Sequence, residues 1–211
     1  YVTNGTLCTN PALYPKVGYD VIRDIKPVAR LTDITLVMAV NPKRIKADNV
    51  NEFLKLAKNT DIPMTFSPAG NGTKSHLAGV LLSRLTAVNF EHIPYRGGAA
   101  SMTDLLAGRI DFTIDVAPNV LPHVQSARLT ALGLGSDRQE DSSNPIKPLS
   151  EQGIDGYELF AWDGIAVKAG TPEAVVKALS EAIQKTLSDD KVQQSLKARG
   201  AQPVFSTPTE F

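Results

Sequence analysis

Pro63-Met64-Thr65-Phe66-Ser67, then Pro68-Ala69-Gly70-Asn71-Gly72, then Thr73-Lys74-Ser75-His76-Leu77 is the stretch on which the fold turns. Five residues suited to a strand run into a glycine-rich loop, and the loop runs into a helix with Thr73 as its N-cap. The same alternation continues on both sides. Upstream, Leu36-Val37-Met38-Ala39-Val40 is a short continuous apolar run, as expected of a strand covered on both faces. Asn41-Pro42 ends it, and Asp48 or Asn49 caps a helix carrying Val50, Phe53, Leu54 and Ala57 at helical spacing. Downstream, Thr73 to Leu85 reads as a helix with Leu77, Val80, Leu81 and Leu85 inward, and Val88 to Ile93 as a strand. Ser101 to Ala107 is a short helix closed by Gly108, followed by a strand from Ile110 to Ile114. A helical turn over Asn119 to Gln125 and a strand over Leu129 to Leu134 complete the series. This βαβαβαβ order predicts a parallel or mixed sheet flanked by helices.

The character of the chain changes at Asp137-Arg138-Gln139-Glu140-Asp141-Ser142-Ser143-Asn144-Pro145, which reads as a linker or exposed loop. Beyond it, Trp162 to Val167 is a further strand, with Trp162 either in the core or near a hinge. Thr171 then caps a long helix with Pro172 in its first turn and Val175, Val176, Leu179, Ile183 and Leu187 on one face. Asp189-Asp190 caps a last helix running to Ala198, ended by Gly200. The pattern predicts one α/β lobe over 34–136 inserted into a second lobe made of 1–33 and 137–211. Hinges are expected near Asp33 and Ser136-Asp137, an arrangement suited to closing on a ligand.

Composition narrows the function. The 211 residues carry 22 Lys+Arg against 22 Asp+Glu, so no cationic excess exists to neutralise nucleic-acid phosphates. The hydrophobic share of 42% with 21% charged residues is that of a folded globular chain. No apolar stretch approaches the 18 or so residues a membrane-spanning helix needs, and a single cysteine, Cys8, excludes an intrachain disulfide. The chain opens on Tyr1-Val2-Thr3-Asn4-Gly5 without a Met or a cationic leader, and stops at Thr207-Pro208-Thr209-Glu210-Phe211, which reads as a helix start cut short. A chain lacking both ends is the expectation.

The glycine loop is the main candidate for chemistry. Backbone amides of Gly70, Asn71 and Gly72 can approach an anion, the helix dipole adds roughly half a positive charge, and Ser67 and Thr73 can each donate a hydroxyl. The alternative is a tight turn with a Thr N-cap. The order Gly-Thr-Lys-Ser is not that of a phosphate-binding Walker loop. Ser75 and His76 are adjacent on a helix and point about 100° apart, so they form no nucleophile–base pair. His76, His92 and His123 show no metal-ligand spacing and read as structural or exposed. Pro94-Tyr95-Arg96-Gly97-Gly98 repeats the strand–glycine–helix pattern and adds a second set of amides at a strand's carboxyl end. Asp115, alternating with Ile114, either faces a ligand ammonium or water, or caps the next turn.

These motifs, taken in order, resemble one family. They are Asp20 to Ala29 (Asp-Val-Ile-Arg-Asp-Ile-Lys-Pro-Val-Ala), Ser67 to Leu77, Pro94 to Gly98, Asp104-Leu105-Leu106-Ala107-Gly108, Glu151-Gln152-Gly153, Trp162-Asp163-Gly164 and Gly170-Thr171-Pro172. Together they look like the solute-binding proteins of tripartite tricarboxylate transporters, the Bug family of periplasmic receptors. Ser126-Ala127-Arg128-Leu129-Thr130 and Pro148-Leu149 depart from its usual pattern, outside the glycine loops. The resemblance implies a two-lobe α/β fold of the periplasmic-binding-protein type II, each lobe a mixed sheet flanked by helices. It implies about 70 further N-terminal residues, a common size for such a fold, and a further C-terminal helix. It also implies export to the periplasm, a small carboxylate ligand (di- or tricarboxylate, acidic amino acid or aromatic acid), and permease subunits as partners. No cofactor, metal or catalysis is expected, and the protein is expected to be a monomer. The expected ligand set is Thr3, Asn4 and Thr6 on one lobe, with Ser67, Gly70, Asn71, Gly72, Thr73, His76, Tyr95, Gly97, Gly98 and Asp115 on the other. Two other readings stand beside it: a ligand-sensing effector domain of a transcription regulator with a similar two-lobe fold, and an enzyme acting on an anionic metabolite.

Overall fold

The computed structural model describes residues 1–137 and 146–211. The elements run β1 (Val2–Thr3), α1 (Asn10–Leu13), α2 (Val21–Asp24), β2 (Ile25–Val40), α3 (Val50–Lys58), β3 (Thr65–Phe66), α4 (Lys74–Thr86), β4 (Glu91–His92), α5 (Gly98–Leu106) and β5 (Phe112–Val116). They continue with α6 (Ala117–Gln125), β6 (Thr130–Leu134), β7 (Phe160–Lys168), α7 (Glu173–Leu187), α8 (Asp190–Lys197) and β8 (Ala201–Pro203). The chain divides into two compact units, Tyr1–Ile34 with Ala161–Phe211, and Thr35–Phe160.

In the second unit the sheet order is β6-β2-β5-β3-β4. β2 runs antiparallel to both β5 and β6, with Met38 opposite Ile114 on one side and Gly133 on the other. β3 runs parallel to β4 and β5, so the sheet is mixed. Leu36 to Val40 are all completely buried, as a strand covered on both faces must be. Val37 and Ala39 face Met102, Leu105, Ala117 and Val120 of α5 and α6. The opposite face holds a phenylalanine cluster in which Phe53, Phe66 and Phe90 lie 4.9, 5.1 and 4.8 Å from the Phe112 ring. Such pairs contribute about 0.5–1.5 kcal/mol each beyond their buried area. Asn49 caps α3, accepting from the Glu52 amide at 3.0 Å.

The inward face of α4 differs from the periodicity. Ser75, Ala78, Gly79 and Leu82 are buried, while Val80 and Leu85 are exposed. A Cβ at Gly79 would stand 2.1 Å from the Phe66 ring, so small residues face the sheet because an aromatic already fills that space. Leu77 and Leu81 are half-buried.

In the first unit, β1 pairs antiparallel with β7, β7 pairs with β2, and β8 runs antiparallel to β2 with Thr32 opposite Pro203. Asp20 caps α2 through the Ile22 and Arg23 amides, and Asp189 caps α8 through those of Lys191 and Val192. The cap of α7 differs from expectation: Pro172 is the N-cap residue, and Thr171 instead donates its hydroxyl to the Lys168 carbonyl at 2.7 Å. The stripe read as inward on α7 buries Val176 but leaves Val175 and Leu179 exposed. Trp162 is half-buried, edge-on to Phe211 at 5.3 Å.

The first passage between units falls at Ile34/Thr35, beside the expected Asp33. The second falls at Phe160/Ala161, not at Ser136-Asp137. The segment after the polar run stays with the second unit because Leu149 and Tyr157 are fully buried there. The Leu149 amide donates to the Leu134 carbonyl at 2.9 Å, Leu159 to Gly135 at 2.8 Å, and the Tyr157 hydroxyl to the Ala78 carbonyl at 3.0 Å. The polar loop itself, 138–145, lies outside the described residues.

Candidate functional site

Because β3, β4 and β5 are parallel, their carboxyl ends share one edge of the second unit's sheet, and α4, α5 and α6 all start there. Open α/β sheets bind ligands at this edge. The three loops lie against one another. A Cβ at Gly70 would stand 3.5 Å from the Tyr95 carbonyl oxygen, and one at Gly98 would stand 3.7 Å from Ala69 Cβ and 2.9 Å from Asp115 Oδ2. The structure thus brings the 70–73 loop, Tyr95, Gly97, Gly98 and Asp115 together at this edge.

Positive φ explains the glycines: Gly70 has φ +142° and Gly97 +132°, conformations that a side chain strongly disfavours. Thr73 is the N-cap of α4. It accepts from the His76 amide at 3.3 Å and donates to the Gly70 carbonyl at 2.7 Å, so one hydroxyl caps the helix and clasps the loop. The amides of Gly70 and Asn71, with those of Lys74 and Ser75 opening α4, make no hydrogen bond among the described residues. Those of Gly98, Ala99 and Ala100 opening α5 make none either, and Gly97 offers no side-chain cap. Two helix N-termini thus present unpaired donors and the positive ends of their dipoles at one edge.

Several expected contacts take a different part. Ser67 is completely buried; its hydroxyl accepts from Ser101 at 2.8 Å and its carbonyl accepts from Thr113 at 2.7 Å, so it braces the scaffold. The Gly72 amide, expected to be free, donates to Nδ1 of His76 at 3.2 Å. Tyr95 turns its hydroxyl to Asp104 at 2.7 Å; burial, with this carboxylate beside it, pushes the phenol up to about 12. Asp115 is buried, and its carboxylate accepts from the Val116 amide at 2.9 Å and from Asn119 at 3.1 Å, while α6 has no side-chain cap. Burial raises its pKa, against a smaller lowering by Asn119 and the Val116 amide.

The reading of single residues missed Ser75, Ser101, Thr113 and Asn119, the side chains that hold the loops. Ser75 donates to the Ile114 carbonyl at 2.6 Å and accepts from the Ala69 amide at 3.3 Å. The one available signal was a serine on the buried side of the first turn in α4 and in α5.

In the first unit, Thr3 ends β1, and Asn4 and Thr6 follow it. The Thr6 hydroxyl accepts from the Thr3 amide at 2.7 Å and donates to the Thr3 carbonyl at 2.9 Å, closing a tight turn. Asn4 is buried, accepts weakly from the Trp162 amide at 3.5 Å, and leaves its Nδ2 without a partner. Among the described residues no group of three His, Cys, Asp or Glu could hold a metal, and no helix is long and apolar enough to cross a membrane.

Residues 1–210 match the tripartite tricarboxylate transporter family receptor. The chain belongs to that family. A protein from the tcbD–tcbE intergenic region of Pseudomonas sp. strain P51 is 32% identical over 196 residues, 92% of this chain. BugT of Bordetella pertussis is 27% identical over 208 residues, 99% of this chain. The chain spans 58% of the first and 64% of the second of these curated relatives. Among solved structures, an R. palustris protein with adipate superposes with TM-score 0.94 at 25% identity, covering 99% of this chain and 70% of the other. MatC from Rhodopseudomonas palustris with bound malate gives 0.84 at 26%, covering 95% and 68%. The α/β fold of this tricarboxylate receptor family is the fold of the chain, and the family is one of solute-binding receptors, not of enzymes.

Proposed function

We propose that the protein is a periplasmic solute-binding receptor that captures a small carboxylate and delivers it to the permease subunits of a tripartite tricarboxylate-type transporter. The observation that carries this reading is the set of unpaired amides at the starts of α4 and α5, on one edge of the sheet. Such donors suit a carboxylate, and bridging water is a general means of completing its coordination. The adipate and malate bound by two structural relatives support a small carboxylate as ligand; within that class the proposal covers a di- or tricarboxylate, an acidic amino acid or an aromatic acid. Thr3, Asn4 and Thr6 are a further proposed contact set on the first unit, where the unpartnered Asn4 amide supplies a donor. Hinges are proposed where the chain passes between units, at 34/35 and 160/161.

A non-catalytic role agrees with the local chemistry. Ser75 spends its hydroxyl on a backbone carbonyl and His76 spends Nδ1 on a backbone amide, so neither activates the other.

A thermal-shift screen of the full-length protein tests the proposal, using adipate, malate, citrate, glutamate and benzoate. An acid at 100 times its dissociation constant is expected to add about 2.7 kcal/mol of stability. A panel in which no acid raises the midpoint counts against the receptor reading.

A further inference from the structure

His76 of α4 and His92 of β4 stack with ring centroids 4.5 Å apart and 23° between their planes. The His92 ring also meets Phe66 at 6.2 Å. Nδ1 of His76 accepts the Gly72 amide at 3.2 Å, so that nitrogen carries no proton in this arrangement. Nε2 of His92 is buried without a hydrogen-bond partner. An added proton on one ring therefore lies against the other stacked imidazole, and a proton on Nδ1 of His76 removes the one acceptor that holds the Gly72 amide. Gly72 sits at φ +74° in the middle of the loop, and the loop's other clasp is the Thr73 hydroxyl on Gly70.

We propose that His76 is a positioning residue for the 70–73 loop, and that protonating the stacked imidazoles releases the Gly72 amide, loosens the loop and weakens the hold on a carboxylate. The affinity half of this proposal rests on the carboxylate reading above; the loop half does not. The charged residues nearest in sequence are Lys74 on α4, Glu91 on β4 and the exposed Arg96 of the neighbouring loop, while residues 68–73 carry no charge. Burial is what lowers His76; burial, and then the His76 ring, lower His92. The sign follows. Both rings stay neutral in the folded protein below the ordinary histidine value near 6.5. The unfolded chain takes up protons first, so stability falls as pH drops below about 6.5 and levels off below the folded values.

The test follows the hydrogen-exchange protection of the Gly72 amide, relative to Leu77, from pH 7.5 to 4.5 in the full-length protein. The His76 ring is titrated by NMR in the same samples. Affinity for whichever of the five acids binds most tightly is measured by calorimetry at both ends of the range. Wild type is expected to lose at least tenfold in Gly72 protection, and at least tenfold in affinity beyond the change in the variant, as the ring takes up its proton. His76→Asn, which keeps an acceptor near the Nδ1 position but cannot be protonated, is expected to lose this pH dependence. His76→Ala is expected to leave Gly72 unprotected at both pH values. A His76 ring neutral down to pH 4.5, protection flat through its titration, or a protected Gly72 in His76→Ala overturns the proposal. Protection that follows the ring while affinity does not overturns the affinity half and, with it, the placement of the carboxylate on this loop. If none of the five acids binds, the carboxylate reading fails by itself and the loop half is decided by Gly72 alone.

Discussion

Gly79→Ala is expected to destabilise the protein by about 2 kcal/mol, although alanine is the better helix former. The propensity gain is about 1 kcal/mol in an exposed helix interior. Here the new methyl would stand 2.1 Å from Phe66 Cε1, 2.5 Å from Cζ and 2.6 Å from Cδ1. Phe66 cannot step aside freely, because it is buried between Phe112 and His92. Overpacking of a filled core costs about 1–3 kcal/mol, and more where the backbone must shift. The clash therefore wins. Urea denaturation would show a lower midpoint with an unchanged slope; a midpoint that rises would mean that α4 can lift from β3 at no cost. Because α4 carries the loop's cap, the same substitution should displace the site as well.

Gly98→Val is expected to weaken carboxylate binding at least tenfold, about 1.4 kcal/mol. A Cβ there would stand 2.8 Å from Asn119 Nδ2 and 2.9 Å from Asp115 Oδ2, and it would press on the two groups that bond each other at 3.1 Å. Moving them apart either shifts the start of α5, with its unpaired amides, or leaves the buried Asp115 carboxylate short of a donor. Calorimetric titration of the folded variant measures the effect. An affinity equal to wild type would place the ligand away from the α5 N-terminus.

What the sequence shows of this fold, and what it hides, divides along physical lines. Leu36 to Val40 announced a strand buried on both faces because a continuous apolar run has no other comfortable place, and all five are fully buried. Gly108 announced the end of α5, and it sits at φ +73° with its amide on the Leu105 carbonyl. The first half of β2 was hidden because Pro27, Arg30 and Asp33 interrupt its pattern, whereas in three dimensions Arg30 pairs with Asp33. The inward face of α4 was hidden because periodicity counts apolar residues and not the volume of the opposing Phe66. The glycine loops were legible as loops, since only glycine tolerates Gly70's backbone. The partners of their amides were not, because whether Gly72 faces a ligand or His76 depends on how residue 76 is turned by the packing of His92.

The most direct measurement is an amide chemical-shift map of the full-length protein titrated with the tightest-binding carboxylate. The largest shifts are expected at Gly70, Asn71, Lys74 and Ser75 and at Gly98 to Ala100, the unpaired donors at the starts of α4 and α5, saturating together at one stoichiometric equivalent. Saturable binding that leaves those amides unmoved, with shifts confined to other parts of the chain, would contradict the assignment of this sheet edge as the carboxylate site.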